Sequence, residues 1–287
     1  MKYTEIDNKS ALNKLKRRGP YSWDLNIYRG CEHGCKYCYA LYSHDYLNDG
    51  NFFDNVYYKK NIIKYLEEEL SSPSWKREVV NIGGVTDSYQ PIEKERKLMR
   101  EILKLMIKYK TPVIISTKSD LILRDIDLID ELSKITYVNV AFTVTTMNEN
   151  LRKELEPFGC PSKKRFDVLK EFSRTNASRG VHLMPIIPYL TDSYDNLDEI
   201  YRLASEAKVD YVLPGTLYLI GKTKPYFLNF VKDYDKEIYD KISSLYKKGG
   251  AGDEYKEKLY KNVNEIKEKY NITSNYMKAI KEKLNKE

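Results

Sequence analysis

The sequence predicts an α/β fold: a partial, open (β/α)6 barrel of TIM-like type, carrying a helical extension at its C-terminus. Three observations predict it. Between residues 21 and 221, short apolar runs with a period of two alternate with longer segments of helical spacing, in five to six units. Such alternation builds a parallel sheet with right-handed crossovers. Cysteines, paired glycines and hydroxyl-bearing residues gather directly after the predicted strands, where parallel α/β folds place their chemistry. Beyond Gly221 the pattern changes to Lys- and Tyr-rich helical segments. The chain therefore divides into a basic lead-in (1–20), a barrel (21–221) and an extension (222–287).

The lead-in ends at Arg17-Arg18-Gly19-Pro20 and reads as irregular. Leu25-Asn26-Ile27-Tyr28 alternates and reads as the first strand. The stretch Gly30-Cys31-Glu32-His33-Gly34-Cys35-Lys36-Tyr37-Cys38-Tyr39-Ala40 follows at once. After the polar loop Asn48–Asn51, Ile62, Ile63, Leu66 and Leu70 mark a helix over Asn61–Leu70, broken by Ser72-Pro73-Ser74. Glu78–Ile82 is the second strand and runs into Gly83-Gly84-Val85-Thr86-Asp87-Ser88-Tyr89-Gln90-Pro91. Leu98, Ile102 and Met106 stripe a helix over Glu93–Lys108. Pro112–Ser116 is the third strand, ending in Thr117-Lys118-Ser119, and Arg124-Asp125 opens a helix to Leu132.

Tyr137–Thr145 is the fourth strand, with Ala141, Thr143 and Thr145 on one face. Leu155-Glu156-Pro157 and Ser162-x-x-Arg165 lead into a helix over Phe166–Phe172. Val181–Pro188 is the fifth strand, Leu197–Ala207 a helix and Tyr211–Pro214 the sixth strand. In the extension, helices over Asp235–Tyr246 and Glu254–Tyr270 are split by Gly249-Gly250-Ala251-Gly252, and a last one covers Ser274–Leu284.

Composition narrows the class. At 287 residues and 41% hydrophobic, the chain forms one large domain or a domain with an appendage. No run approaches the ~18 apolar residues of a membrane span. Met1-Lys2-Tyr3-Thr4-Glu5 lacks the apolar core of a signal peptide. Closely spaced free cysteines suit a reducing cytoplasm, which is the expected location. The formal charge of +7 is carried by the two ends: six basic against two acidic residues in 1–20, and sixteen Lys against eleven Asp or Glu in 222–287. Basic ends attract nucleic acid phosphates, although mixed charges are also ordinary on a Lys- and Tyr-rich surface.

Three of the four cysteines fall within eight positions as C-x3-C-x2-C. Thiolates at this spacing hold zinc or an iron–sulfur cluster. His33 would complete a Cys3His zinc site, and a disulfide framework is foreign to so cysteine-poor a chain. A [4Fe–4S] cluster on three cysteines leaves one iron open to a substrate or cofactor.

The triplet, with an aromatic residue before its last cysteine, resembles the radical S-adenosylmethionine (SAM) enzymes. The wider run Tyr28–Cys35 with Cys38-Tyr39-Ala40, together with Thr86-Asp87-x-Tyr89-Gln90-Pro91 and Glu93, is similar to the spore photoproduct lyase-like branch, from about Tyr21 to about Pro214. The resemblance implies a [4Fe–4S] cluster on Cys31, Cys35 and Cys38. It implies reductive cleavage of SAM to a 5′-deoxyadenosyl radical that abstracts hydrogen from a substrate. It places Tyr37, Gly83, Gly84 and Thr86 against SAM. Val85 stands where an acidic residue is frequent, leaving Asp87 or a backbone carbonyl for the SAM amine, and Ser88 stands where proline is usual.

Further along, the resemblance implies SAM contacts from Ser116, Lys118 and Ser119, from Thr143 and Thr145, and from Glu156 and Arg165. Arg165 would pair with the SAM carboxylate. For Lys118 a surface turn is the plainer alternative, and His182 reads as a packed barrel histidine. Cys160 is the candidate hydrogen-atom donor, although the branch places that cysteine between the cluster loop and the Gly-Gly turn; as a residue type it is otherwise a small buried apolar group.

The implied partners are a low-potential electron donor of flavodoxin or ferredoxin type and a nucleic acid substrate. A peptide, protein or small-molecule substrate is the alternative, and a non-catalytic iron–sulfur electron carrier is a third.

Overall fold

The computed structural model describes residues 1–16, 19, 21–47 and 52–284. Arg17, Arg18, Pro20 and the Asn48–Asn51 loop lie outside the described residues. Among the described residues there are ten strands: β1 (Lys2–Ile6), β2 (Leu12–Lys14), β3 (Trp23–Leu25), β4 (Tyr28–Arg29), β5 (Asn55–Lys59), β6 (Val80–Ile82), β7 (Val113–Thr117), β8 (Val138–Thr143), β9 (Ser178–Ile186) and β10 (Tyr211–Thr216). Six of them, β3, β6, β7, β8, β9 and β10, pair in parallel and in sequence order. Strands added in chain order curl one way round. The sheet stays open between β10 and β2, which pairs antiparallel with β3. This is the predicted partial barrel.

Alternation along the strands makes the two faces. Val80, Ile82, Val113, Ile115, Val138, Val140, Phe142, Val181, Leu183 and Val212 are fully buried in the main core with the helices α1 (Ile62–Ser71), α3 (Leu98–Lys108), α4 (Ile126–Ile135), α6 (Ser162–Glu171) and α7 (Tyr194–Glu206). The alternate set, on the concave side, is polar: Asp24, Asn81, Ser116, Asn139, Thr143 and His182. Tyr211 crosses it to donate to Asn139 Oδ1 at 3.0 Å.

The lead-in is not irregular. Strand β1 pairs in parallel with β5, which also pairs with β4, making a small second sheet, and β2 extends the main one. The predicted first strand is split between the two sheets. Asn26 accepts from Val85 N at 3.0 Å at the bend, leaving Leu25 in the large sheet and Tyr28 in the small one.

The predicted helix over Glu93–Lys108 is also divided, into α2 (Glu93–Arg96) and α3. Lys97 lies between them at φ 52°, and Glu93 turns back to accept from Leu98 N and Met99 N, capping α3. Among the described residues, two α-helices lie outside the sequence expectations. Asn148 caps α5 (Glu149–Leu155). The other is α8 (Thr223–Tyr234), whose Pro225 sits in the first turn, where a missing N–H does no harm.

The remaining extension helices, α9 (Lys236–Leu245), α10 (Asp253–Lys269) and α11 (Met277–Leu284), pack onto the barrel. Leu259, Val263 and Ile266 of α10 enter the main core. Ile280 of α11 meets Val79, Ile114 and Tyr137 near the starts of the strands. No described helix is long and apolar enough to cross a membrane.

Candidate active site

The cysteine loop is held from several sides, and most of the ties are side chain to backbone. It leaves β4 through Gly30 at φ +82°. A Cβ there would stand 2.2 Å from Asn55 O and 2.9 Å from Phe52 O, so glycine alone fits. Gln90, fully buried, donates to Gly30 O and accepts from Glu32 N. Glu32 accepts from Ile92 N and from the Tyr3 hydroxyl of β1. Lys36 N donates to Leu155 O, and Phe158 N to His33 O, which docks the loop on the segment after β8. His33 sets Nε2 at 2.9 Å from Asp87 and Nδ1 at 3.2 Å from Phe158 O.

Asp87 is the hub. Besides His33, its carboxylate accepts from Tyr89 N, Thr117 Oγ1 and Lys118 N. Burial opposes its charge, but the pull of His33 and the hydrogen bonds from His33 and Lys118 hold its carboxyl down to about 2. One carboxylate thus ties the cysteine loop, the Gly-Gly turn and the end of β7 together. A second network lies behind it. Buried Glu93 accepts from Tyr28 and from Arg124 Nη2, and Arg124 also pairs with Asp125. The downstream motif residues Glu93, Arg124 and Asp125 therefore brace the turn that carries Asp87.

The third network joins the side chains of four predicted site residues. Glu156, fully buried, accepts from Arg165, from the Tyr37 hydroxyl and from Thr145 Oγ1. Arg165 is equally buried and also donates to Thr143 O at 2.6 Å and to Cys160 O at 2.9 Å. Burial disfavours the Glu156 charge, yet Arg165 and Lys118 hold its carboxyl below the ordinary range. The Arg165 guanidinium is enclosed and paired with a carboxylate of the chain itself.

Residues 25–204 match the family model described as the Radical SAM superfamily. The chain belongs to the radical SAM superfamily.

Its relatives carry no assigned function by name. The uncharacterized protein Rv2578c of Mycobacterium tuberculosis (strain ATCC 25618 / H37Rv) is 32% identical over 283 residues, covering 96% of this chain and 83% of the relative. The uncharacterized protein MJ0683 of Methanocaldococcus jannaschii is 33% identical over 226 residues, covering 79% and 74%. Among solved structures, a spore photoproduct lyase mutant superposes with a TM-score of 0.69 at 11% identity, covering 93% of this chain and 79% of that one. Another spore photoproduct lyase mutant, with bound AdoMet and dinucleoside spore photoproduct, gives 0.67 at 13% over the same shares. At such identity the likeness is one of fold.

The donor set fits the cluster of a radical SAM enzyme. Among the described residues no group of His, Cys, Asp or Glu side chains forms a single-ion site. Three thiols that would each meet a different iron of one cluster need not make such a group. Cys35 lies near enough to Cys31 and Cys38 for their charges to be felt. Cys31 and Cys38 are walled by Phe52, Phe53, Leu41 and Val85, and Cys35 by Tyr37, Leu151 and Leu155. Burial raises all three thiols, so thiolate needs a positive partner there.

The other radical SAM candidates divide in two. Gly83, at φ +85°, makes the turn after β6, and a Cβ on Gly84 would press on Asn81 and Asp24, which hydrogen-bond each other at 2.8 Å. Tyr39 donates to Gly84 O. Thr86 donates to Tyr28 O and Ser119 caps the turn at Leu121 N, so both hydroxyls serve the backbone. Cys160 N donates to Lys118 O, which sets that cysteine beside β7 rather than in the cluster loop.

Ser116, Lys118 and Thr143 are otherwise placed. The Lys118 ammonium lies 5.8 Å from the Tyr37 ring centroid. Burial disfavours its charge, but Cys35, Glu156 and Asp87 nearby keep its pKa raised. Register places Ser116 beside Ala141 and Thr143 beside His182.

His182, bonded to the Tyr211 hydroxyl at 3.2 Å, is a packed barrel histidine as expected. Burial, with Lys118 nearby, pushes its imidazole down to about 4 from 6.5. The unfolded chain thus binds a proton that the fold refuses. Stability should fall by about 2–3 kcal/mol as pH drops from about 6.5 to about 4. Urea titrations across that range should show the fall, and His182→Gln should flatten it. An unchanged slope would remove His182 as its source.

The extension also lines the site, through residues that no motif marks. The Thr223 hydroxyl at the start of α8 donates to Cys38 O at 2.9 Å. Phe227, Val231, Ile242 and Tyr246 join Cys35 and Tyr37 in one apolar cluster. No local signal near the cysteines announces a partner 185 residues away.

Proposed function

We propose that this chain is a radical SAM enzyme that holds a [4Fe–4S] cluster on Cys31, Cys35 and Cys38 and acts on a nucleic acid substrate. When bound, cluster and SAM supply reductive cleavage of the SAM C5′–S bond and hydrogen abstraction from the substrate. The observation that carries the reading is the three-thiol loop at the carboxyl ends of the strands, next to the charged Lys118. In it, the three cysteines bind the cluster, and Lys118 with the Ser116 and Thr143 hydroxyls binds the polar parts of SAM. The Asp87, Gln90 and Glu156 networks hold the loop rigid, and the Phe52 and Leu155 walls exclude water. Tyr37, pinned by Glu156, sets the angle of the loop between Cys35 and Cys38.

For the substrate, support comes from the rim. Phe158, Tyr189 and Tyr218 are exposed in loops, and Tyr39 is exposed at the start of the short helical segment Tyr39–Leu47. The Lys241 ammonium lies 5.9 Å from the Tyr189 ring centroid. Exposed aromatic rings among lysines suit stacked bases and phosphates. The spore photoproduct lyase that shares the fold has been solved with a dinucleoside spore photoproduct.

Anaerobic reconstitution should give one cluster per chain, and dithionite with SAM should release 5′-deoxyadenosine. Single-stranded DNA should bind with a salt slope of roughly −0.7 per phosphate contacted. A chain that binds zinc but no iron–sulfur cluster would refute the cofactor reading. Cluster formation without DNA binding at ~50 mM salt, where non-specific contacts are strong, would refute the substrate alone.

A further inference from the structure

We propose that the outer face of α8, where Phe230 and Tyr234 emerge beside Lys36, is the docking surface for an acidic one-electron carrier of low potential. The aromatic row of that helix then marks the electron's way to the cysteine loop. The proposal rests on the cofactor reading above, because a cluster in the loop is what needs the electron.

Thr223, Phe227, Phe230 and Tyr234 recur at steps of four, three and four, which keeps them on one stripe of the helix. The stripe begins at the loop, with the Thr223 hydroxyl on Cys38 O. Phe227 is fully buried in the same apolar cluster as Cys35, Tyr37 and Cys38. Phe230 follows with its ring centroid 6.1 Å from that of Phe227. Tyr234 stacks on Phe230 at 5.8 Å with an interplanar angle of 28°. Exposure rises along the row, from 0% at Phe227 to 44% at Tyr234. From Thr223 to half-buried Phe230 is about 10 Å along the helix.

The charge around this row is positive. Lys36 belongs to the cysteine loop itself, between Cys35 and Cys38, and holds its ammonium 6.0 Å from the Phe230 ring centroid. Lys232 and Lys236 are exposed. Lys222 pairs with Asp45, and Lys224 donates to Tyr246 O. Five lysines thus face Asp45, Asp233 and Asp235, the last of which caps α9 at Ile238 N, while the neighbouring Glu237 is paired with a sixth lysine, Lys241. A positive rim around exposed aromatic rings is complementary to an acidic protein and would steer its approach. The concave mouth is needed by SAM and substrate, whereas α8 reaches the loop from the extension. In the transfer the carrier is oxidised by one electron and the cluster reduced by one, with no bond made or broken.

The test compares reduced flavodoxin with dithionite as reductants of the reconstituted full chain, following loss of iron–sulfur absorbance in stopped flow. In Lys232→Glu/Lys236→Glu the flavodoxin-driven rate should fall about 5–10-fold at low ionic strength, and the difference should shrink as salt is raised. Flavodoxin affinity by calorimetry should weaken by a similar factor, while the dithionite rate stays unchanged. Phe230→Leu, which keeps an apolar side chain in the cluster but removes the ring, should likewise slow flavodoxin and spare dithionite. Equal flavodoxin rates and affinities in wild type and the double variant, with dithionite bleaching normal in both, would overturn the proposal and leave the cofactor reading intact. Absence of any cluster in the reconstituted wild type would overturn both.

Discussion

Arg165→Ala should lower stability by about 3–5 kcal/mol, because it leaves the Glu156 carboxylate buried without its partner. The same change strips the donor from two buried carbonyls, Thr143 O and Cys160 O. Guanidine titration of the apo-chain would measure it. Adding Glu156→Gln removes the stranded charge and should recover a good part of the loss, because Tyr37 and Thr145 still have an amide to meet. A double mutant no better than Arg165→Ala would show that the pair is not coupled. SAM affinity separates this role from the contact expected by resemblance. A folded Arg165→Lys chain that keeps SAM affinity would place Arg165 in the frame of the site, and selective loss of SAM would return it to the cofactor.

Gly30→Ala should act from the opposite end of the loop. Its Cβ meets the Asn55 carbonyl at 2.2 Å, and backbone has no rotamer with which to retreat. The positive φ adds strain of order 1–3 kcal/mol, and forced overpacking about as much again. We expect a destabilised chain that also fails to hold iron, because Gly30 O is the carbonyl that Gln90 grips. Gly19→Ala is a control at a roomy position, where the nearest heavy atom lies at 3.8 Å and φ is ordinary. Iron retained at wild-type level in Gly30→Ala would mean that the loop tolerates another path.

The order of the later barrel strands was legible because they are mostly runs of β-branched and aliphatic residues closed by a polar turn, both local signals, whereas the first, Trp23–Leu25, carries no such run and only its last residue falls in the predicted strand. Val113–Thr117 and Tyr211–Thr216 are found within two residues at each end. Two kinds of feature were not legible. Helix α2 ends at Lys97 because the Glu93 carboxylate folds back on the next helix, a tertiary choice invisible to periodicity. Helix α8 was passed over because Pro225 and a mixed sequence hide its stripe.

In the site, the residue types were readable and their partners were not. Spacing alone marks the three cysteines. Asp87, Thr86 and Ser119 stand in the right stretches, and their side chains meet backbone donors or acceptors, Asp87 with His33 and Thr117 besides. A carboxylate bracing a loop and one meeting an amine look alike in one dimension, and only the distribution of buried donors separates them.

The hydrogen bond from Thr223 to Cys38 O also has a consequence in time. The two residues are separated by 185 positions of chain. At about 5–20 residues per second, a ribosome needs roughly 10–40 s to make that interval. Throughout it the nascent loop has its thiols but not the helix that covers them, and Phe227 and Val231 have yet to be made. Metal delivered during synthesis would meet an open, solvent-washed loop, whereas delivery after release meets one side already walled. The order of assembly is thus written into the contact: α8 can close over the cysteines only after most of the chain has been made.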